Sequence, residues 1–243
     1  MNVLVTGSNG FVGKNLCAAL GAQSDVTVRG YDWDSEPDAL PQMTADCDFV
    51  FHLAGVTRPH DTSELAQNFS AALYLTDCLN QNHNRAPIVF ASSVRAQYDT
   101  PYGQCLREIE RVLLEYGKQS GALVLIYRLC SVFGRWCRPC YNSPVATMCD
   151  AAANGRVLPI ADPDAVIRLV YIDDVTNEFL RVLYTHGDTA SGIYPVLPVS
   201  SVSAGWLACR IAAFATGQPV LRDLGTQNAL LKKLYDTYIS YLP

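Results

Sequence analysis

Asn2-Val3-Leu4-Val5-Thr6-Gly7-Ser8-Asn9-Gly10-Phe11-Val12-Gly13 reads as a strand, a tight turn and the opening of a helix. The apolar run 3–5 predicts a buried parallel strand, and residues 14–20 continue at helical spacing. Gly7, Gly10 and Gly13 therefore fall at the strand-to-helix junction. There, absent side chains let main-chain N–H groups and the positive helix end approach a pyrophosphate. The spacing is G-x-x-G-x-x-G rather than the commoner G-x-G-x-x-G, and a tight turn in any α/β protein also calls for glycine. Taken as a nucleotide seat, the stretch offers Thr6, Gly7, Asn9, Gly10, Phe11, Val12 and Gly13 as cofactor contacts.

Outward from this turn, strand and helix signals alternate. Apolar runs at 26–31, 49–53, 88–91 and 123–127 are separated by segments of helical spacing such as 64–80 and 105–116. That rhythm predicts right-handed βαβ crossovers and a parallel sheet covered on both faces. Past Arg128 the pattern changes, with Pro139, Pro144, Pro159, Pro163, Pro195 and Pro198 breaking shorter elements around a strand at 167–172. The expected architecture is an α/β, Rossmann-type doubly wound core over 1–128. A small, loop-rich C-terminal cap for substrate over 129–243 completes it, with some segments returning to the core.

The 243 residues suffice for a full core, and 49% apolar with 17% charged residues is ordinary for a folded domain. A net charge of −5 leaves no electrostatic footprint for nucleic acid or an acidic membrane surface. No run is long enough to span a bilayer, and a first strand starting at residue 2 or 3 leaves no room for a signal peptide. A cytoplasmic location is the expectation. Nine scattered cysteines fit reduced, mostly buried thiols rather than a disulfide framework. Cys137-Arg138-Pro139-Cys140 has no second pair at zinc-ligand spacing, so no metal site is expected.

Other positions carry chemistry. Asp32 follows the second strand, where a carboxylate can bind the adenosine ribose hydroxyls and favours NAD over NADP. Arg29, close by, could hold a 2′-phosphate instead; alternatively Asp32 and Asp34 simply end a strand. Leu53, Ala54 and Gly55 close the third clear strand and are small enough at Ala54-Gly55 to let a cofactor pass. His52, among apolar neighbours, reads as a core histidine rather than a base. Ser92 and Ser93 end the fourth strand and Tyr102 opens the next helix; a serine hydroxyl could bind a substrate carbonyl while the phenol moves a proton.

Together, Thr6-Gly7-x-x-Gly10-Phe11-x-Gly13, Phe51-His52-Leu53-Ala54-Gly55, Ser92-Ser93 and Tyr102-Gly103 resemble the extended short-chain dehydrogenase/reductases (the NAD-dependent epimerase/dehydratase family). Phe133-Gly134-Arg135-Trp136-Cys137, Tyr141-Asn142-Ser143 and the tail from Leu234 to Pro243 resemble one branch more narrowly. It is the reductase domain of bifunctional UDP-sugar epimerase/4-ketoreductases of capsular polysaccharide synthesis. The resemblance runs end to end and implies NAD(P)H-dependent reduction of the C4 ketone of a UDP-2-acetamido-2,6-dideoxy-4-keto-hexose; it favours NADP. It implies Tyr102 as proton donor and Ser93, or its neighbour Ser92, as the group polarising the ketone. Asn68 would lie near the cofactor, or else face solvent. Asn142 and Ser143 would meet the sugar nucleotide, or else form a plain loop with an Asx turn. Arg168 would pair with the UDP phosphates, or equally with Asp173 or Asp174. The family adds a cupin epimerase domain, in cis or in trans, and homodimers are common in it.

One departure is large. The family's active helix reads Tyr-x-x-x-Lys, and the fourth residue after Tyr102 is Leu106. Residues i and i+4 share a helix face, so the lysine would lower the phenol pKa and anchor the nicotinamide ribose. Leucine does neither. Arg107 is rotated by roughly 100°, and Lys118 lies about 18 Å further along the helix. The expectation is measurable cofactor binding with weak turnover, against two other classes: a non-catalytic dinucleotide-binding module, or an interaction domain serving a separate epimerase.

Overall fold

The computed structural model describes residues 1–36, 38–58, 61–216 and 227–242; Pro243, the last residue of the tail motif, lies outside them. The elements in chain order are β1 (Asn2–Thr6), α1 (Phe11–Gly21), β2 (Thr27–Tyr31), α2 (Ala39–Ala45), β3 (Phe49–His52) and α3 (Thr62–Gln81). Next come β4 (Ile88–Ser93), α4 (Pro101–Ser120), β5 (Val124–Leu129), β6 (Ser131–Phe133), α5 (Pro144–Ala153) and β7 (Val166–Tyr171). The chain closes with α6 (Ile172–Thr185), β8 (Gly192–Tyr194), β9 (Ser200–Ser203), α7 (Ala204–Ala215) and α8 (Gln227–Ile239).

Two compact units emerge: Met1–Leu129 with Thr176–Val196, and Cys130–Val175 with Leu197–Pro243. The first holds a six-stranded sheet in the order β2-β1-β3-β4-β5-β8, every pair parallel. The order reverses between β1 and β3, which makes the carboxyl ends of those two strands the switch point where open α/β sheets bind ligands. Both faces are covered. On one, Leu4, Val50, Ile88, Phe90 and Ile126 pack with Leu75 and Leu79 of α3 and Leu106, Ile109 and Leu113 of α4. On the other, Phe51 and Tyr127 meet Phe179 of α6, with ring centroids 5.5 and 5.4 Å apart.

Local signals set the helix boundaries near the site. Asp61 accepts hydrogen bonds from the amides of Ser63 and Glu64 to start α3. Thr100 caps α4 through Gly103 N–H with Pro101 in the first turn, and Gly121 ends that helix at φ +80°. The second unit holds the mixed sheet β6-β7-β9 with α5, α7 and α8. It is more regular than its prolines suggest, because Pro144 sits in the first turn of α5 behind the capping Ser143 rather than breaking an element. No helix among the described residues is long and apolar enough to cross a membrane.

Candidate active site

The turn after β1 is built by close backbone approach. Gly7 has φ +74°, and a Cβ there would lie 2.6 Å from the Ala54 nitrogen; a Cβ on Gly13 would lie 2.0 Å from the Gly7 carbonyl oxygen. Neither position can carry a side chain. Gly10 N-caps α1 with no side-chain cap, so the first-turn amides of Phe11, Val12 and Gly13 lack intrahelical acceptors. The amino end of α1 is thus a cradle of bare donors and positive dipole, which suits a pyrophosphate. Thr6 supports it from below: its hydroxyl shares a 2.7 Å hydrogen bond with His52 Nδ1 inside the core. His52 is buried beside Phe90, and burial pushes its pKa down to about 4, so it is neutral and no base at ordinary pH.

Asp32 is held at the end of β2, accepting from Asn9 N–H at 2.6 Å and from Trp33 N–H at 2.9 Å. Asn9 also reaches Asp34 through its amide, 3.4 Å. Arg29 is drawn elsewhere. Its guanidinium forms a fork with Asp46, a residue tied to Asn2 at the amino end of β1. The glycine turn lies past the carboxyl end, so this pairing works against Arg29 as a holder of a 2′-phosphate.

Leu53 N–H donates to the Thr6 carbonyl at 3.0 Å, which brings the strand end 53–55 against the glycine turn. Asn68 is buried rather than facing solvent. Its side chain clamps the main chain of Val56, accepting from the N–H at 2.7 Å and donating to the carbonyl at 2.8 Å. It fixes the loop beside Gly55.

The two serines of β4 separate by strand alternation. Ser92 is buried and donates to Glu110 Oε1 at 2.6 Å. Ser93 is half-buried and accepts from Arg95 N–H at 3.2 Å, which leaves its hydroxyl hydrogen without an acceptor among the described residues. Tyr102 is half-buried in the first turn of α4. Gly103 lets that turn close on residues 94–97, since a Cβ there would lie 2.2 Å from the Tyr98 carbonyl oxygen. Leu106, one turn on, is only 4% exposed and belongs to the core under the sheet. Arg107 is committed to the carbonyls of Ala96 (2.8 Å) and Tyr98 (3.0 Å) and to Asp99 (2.7 Å).

Glu110 and Arg128 escaped the sequence reading. Glu110 is 3% exposed and takes a fork from Arg128, Nε to Oε1 at 3.0 Å and Nη2 to Oε2 at 2.6 Å, beside the Ser92 hydroxyl. The signal was an acid in the apolar stripe of α4 and an arginine in the otherwise apolar β5.

In the second unit, Ser143 is buried as the cap of α5, accepting from Ala146 N–H at 3.5 Å. Asn142 beside it is exposed. Arg168 is exposed on β7 and forms no ion pair among the described residues; Asp174 is instead gripped by Lys233 Nζ at 2.6 Å. All nine cysteines are free thiols, and among the described residues no cluster of three or more His, Cys, Asp or Glu could hold a metal ion.

A parallel sheet with a glycine-lined turn into a helix at its switch point defines an α/β protein of the Rossmann type. Within that class, residues 3–196 match the NAD dependent epimerase/dehydratase family, and the chain belongs to it. It is 38% identical over 244 residues to the UDP-2-acetamido-2,6-beta-L-arabino-hexul-4-ose reductase of Pseudomonas aeruginosa, covering 100% of this chain and 65% of that protein. Among solved structures it resembles the capsular polysaccharide assembling protein CapF of Staphylococcus aureus (TM-score 0.88, 33% identity, all of this chain and 66% of that one). The UDP-glucuronic acid 4-epimerase of Bacillus cereus shares the fold at TM-score 0.84 and 17% identity, over 99% of this chain and 98% of that one. The chain thus spans just under two thirds of the length of its first two relatives.

Proposed function

We propose that this chain is an NAD(P)-dependent reductase of nucleotide-sugar metabolism. It would reduce the C4 ketone of a UDP-2-acetamido-2,6-dideoxy-4-keto-hexose in the cytoplasm, for capsule or other surface polysaccharide. The observation that carries the reading is the cradle at α1, where Gly7 and Gly13 admit no Cβ and three first-turn amides lack intrahelical acceptors. The likeness to a reductase of such a ketone supports the substrate class. Asp32, a carboxylate where the adenosine ribose would lie, supports NAD over NADP.

When bound, the reduced nicotinamide supplies the hydride equivalent. The protein supplies orientation and the proton. Ser93, whose hydroxyl hydrogen has no acceptor among the described residues, donates to the ketone oxygen and polarises it. The Tyr102 phenol then delivers a proton to that oxygen as C4 becomes a secondary alcohol. Thr6, Asn68 and the backbone of 53–55 hold the floor of the site. Asn142 and Arg168 are offered to the sugar nucleotide, while Ser143 shapes the start of α5. A homodimer and a cupin epimerase, in cis or in trans, are the partners this reading brings with it.

A second reading is favoured by one observation. Leu106 is sealed in the core and Arg107 is spent on the carbonyls of Ala96 and Tyr98, so neither takes the part of the family's lysine. That describes a dinucleotide-binding module with impaired chemistry. Calorimetry with NADH and NADPH, then turnover of a UDP-4-keto-sugar, separates the two. We expect binding, slow turnover, loss of turnover in Tyr102→Phe, and a gain on the order of 10²-fold in Leu106→Lys. Absence of binding by either nucleotide would sink both readings.

A further inference from the structure

On one face of the six-stranded sheet, α3 and α4 pack over β1, β3, β4 and β5, and β8 forms the edge beyond them. Ile193 of β8 stands in parallel register with Ile126, so its side chain points to the face that carries α4. It is nevertheless 45% exposed. The sheet runs one strand further than its helices, and a groove of about 330 Å³ opens between α4 and β8. That is room for a small ligand.

One stripe of α4 lines this groove: Arg107, Arg111, Leu114 and Lys118 follow at steps of four, three and four. Arg128 of β5 adds a fourth cation, while Glu110 and Glu115 are the acids. The lining therefore carries a surplus of +2 in a chain of net −5. Its cations are unequally engaged. Arg107 is spent on two carbonyls and Asp99, and Lys118 stands 3.9 Å from Glu115 with both side chains at least half exposed. Arg111 is exposed and enters no ion pair among the described residues. Arg128 gives Nε and Nη2 to Glu110, and its Nη1 has no partner among the described residues.

Leu114 and Ile193 supply an apolar wall beside these two guanidiniums. Such a lining suits a ligand with an apolar body and an oxyanion, since guanidinium N–H groups match its geometry. The charge selects the oxyanion. A phosphate monoester carries about −1.5 to −2 at neutral pH and offsets the surplus, whereas a carboxylate offsets half of it.

We propose that the groove between α4 and β8 binds a small organic phosphate, its phosphate on Arg111 and Arg128 and its apolar body between Leu114 and Ile193. Arg111 lies about 14 Å along α4 from Tyr102, so the site is distinct from the phenol and from the cradle at α1. It does not depend on the reductase reading.

Calorimetric titration with phenyl phosphate at pH 7.5 tests it. The natural chain should bind with a Kd of about 1 mM or tighter. Phenol, benzoate and inorganic phosphate should each bind at least 5-fold more weakly. Arg111→Ala, an exposed substitution, should weaken phenyl phosphate at least 5-fold with Tm and NADH affinity unchanged. Ile193→Asp should weaken it by as much. Glu110→Gln, which removes the charge competing for Arg128, should tighten it at least 3-fold. Saturating NADH should not displace it, and an absence of NADH binding would leave this site untouched while removing the reductase reading. Affinity within twofold of the natural chain in Arg111→Ala, displacement by NADH, or benzoate binding as tightly would each overturn the proposal. So would no heat of binding at millimolar phenyl phosphate.

Discussion

A single methyl group at Gly13 would meet the Gly7 carbonyl oxygen at 2.0 Å, and backbone cannot step aside for it. Gly13→Ala is therefore expected to cost roughly 3 kcal/mol or more and to abolish nucleotide binding. Gly10→Ala, whose Cβ would stand 3.2 Å from the same oxygen, should be far milder. Urea unfolding and NADH calorimetry on the pair check the contrast. His52 gives a pH prediction. Burial lowers its folded pKa to about 4, below the ordinary 6.5, so the neutral form is the native one. Its contribution is complete above pH 6.5 and is lost as the pH falls from there through 4, because the unfolded chain takes up the proton first. The loss amounts to about 3 kcal/mol. Denaturation midpoints from pH 7 to 4 should fall less steeply in His52→Gln; parallel curves would refute the assignment.

At the scale of elements, Ser92, Glu110 and Arg128 tie the end of β4 to α4 and β5. Tyr102, Leu106 and Glu110 follow at steps of four, so the buried carboxylate lies on the face of α4 that carries the phenol. Removing it strands a half-buried guanidinium. Glu110→Ala should destabilise by about 3 kcal/mol and Ser92→Ala by about 1, with Glu110→Gln between them. If the bridge also aims Ser93, turnover below the melting range falls in all three while cofactor affinity stays constant. Equal melting temperatures for Glu110→Ala and the natural chain would discount the bridge. Sequence patterning found these elements well: the strands at 3–5, 49–53 and 88–91 and the helices at 64–80 and 105–116 all lie within or across observed ones. It missed the bridge, because an acid and an arginine 18 residues apart declare a partnership only once a sheet sets them side by side.

For the whole molecule, nucleotide binding and folding are linked. NADH or NADPH at 100 times its Kd should raise stability by about 2.7 kcal/mol, and the nucleotide that shifts Tm more at equal concentration is the preferred one. With Asp32 fixed by Asn9 N–H, NADH is expected to give the larger shift. Equal shifts would remove the carboxylate as the discriminator.

The sequence alone determined the parallel sheet, the glycine junction and the missing lysine, since periodicity, absent side chains and a leucine at i+4 are local facts of the chain. Only the tertiary structure decided that Arg29 is spent on Asp46, that Asn68 clamps a loop instead of meeting water, and that Ser92 rather than Ser93 gives its proton to Glu110. Those outcomes depend on which polar groups find each other as burial strips away water, and a linear order of residues does not hold that information.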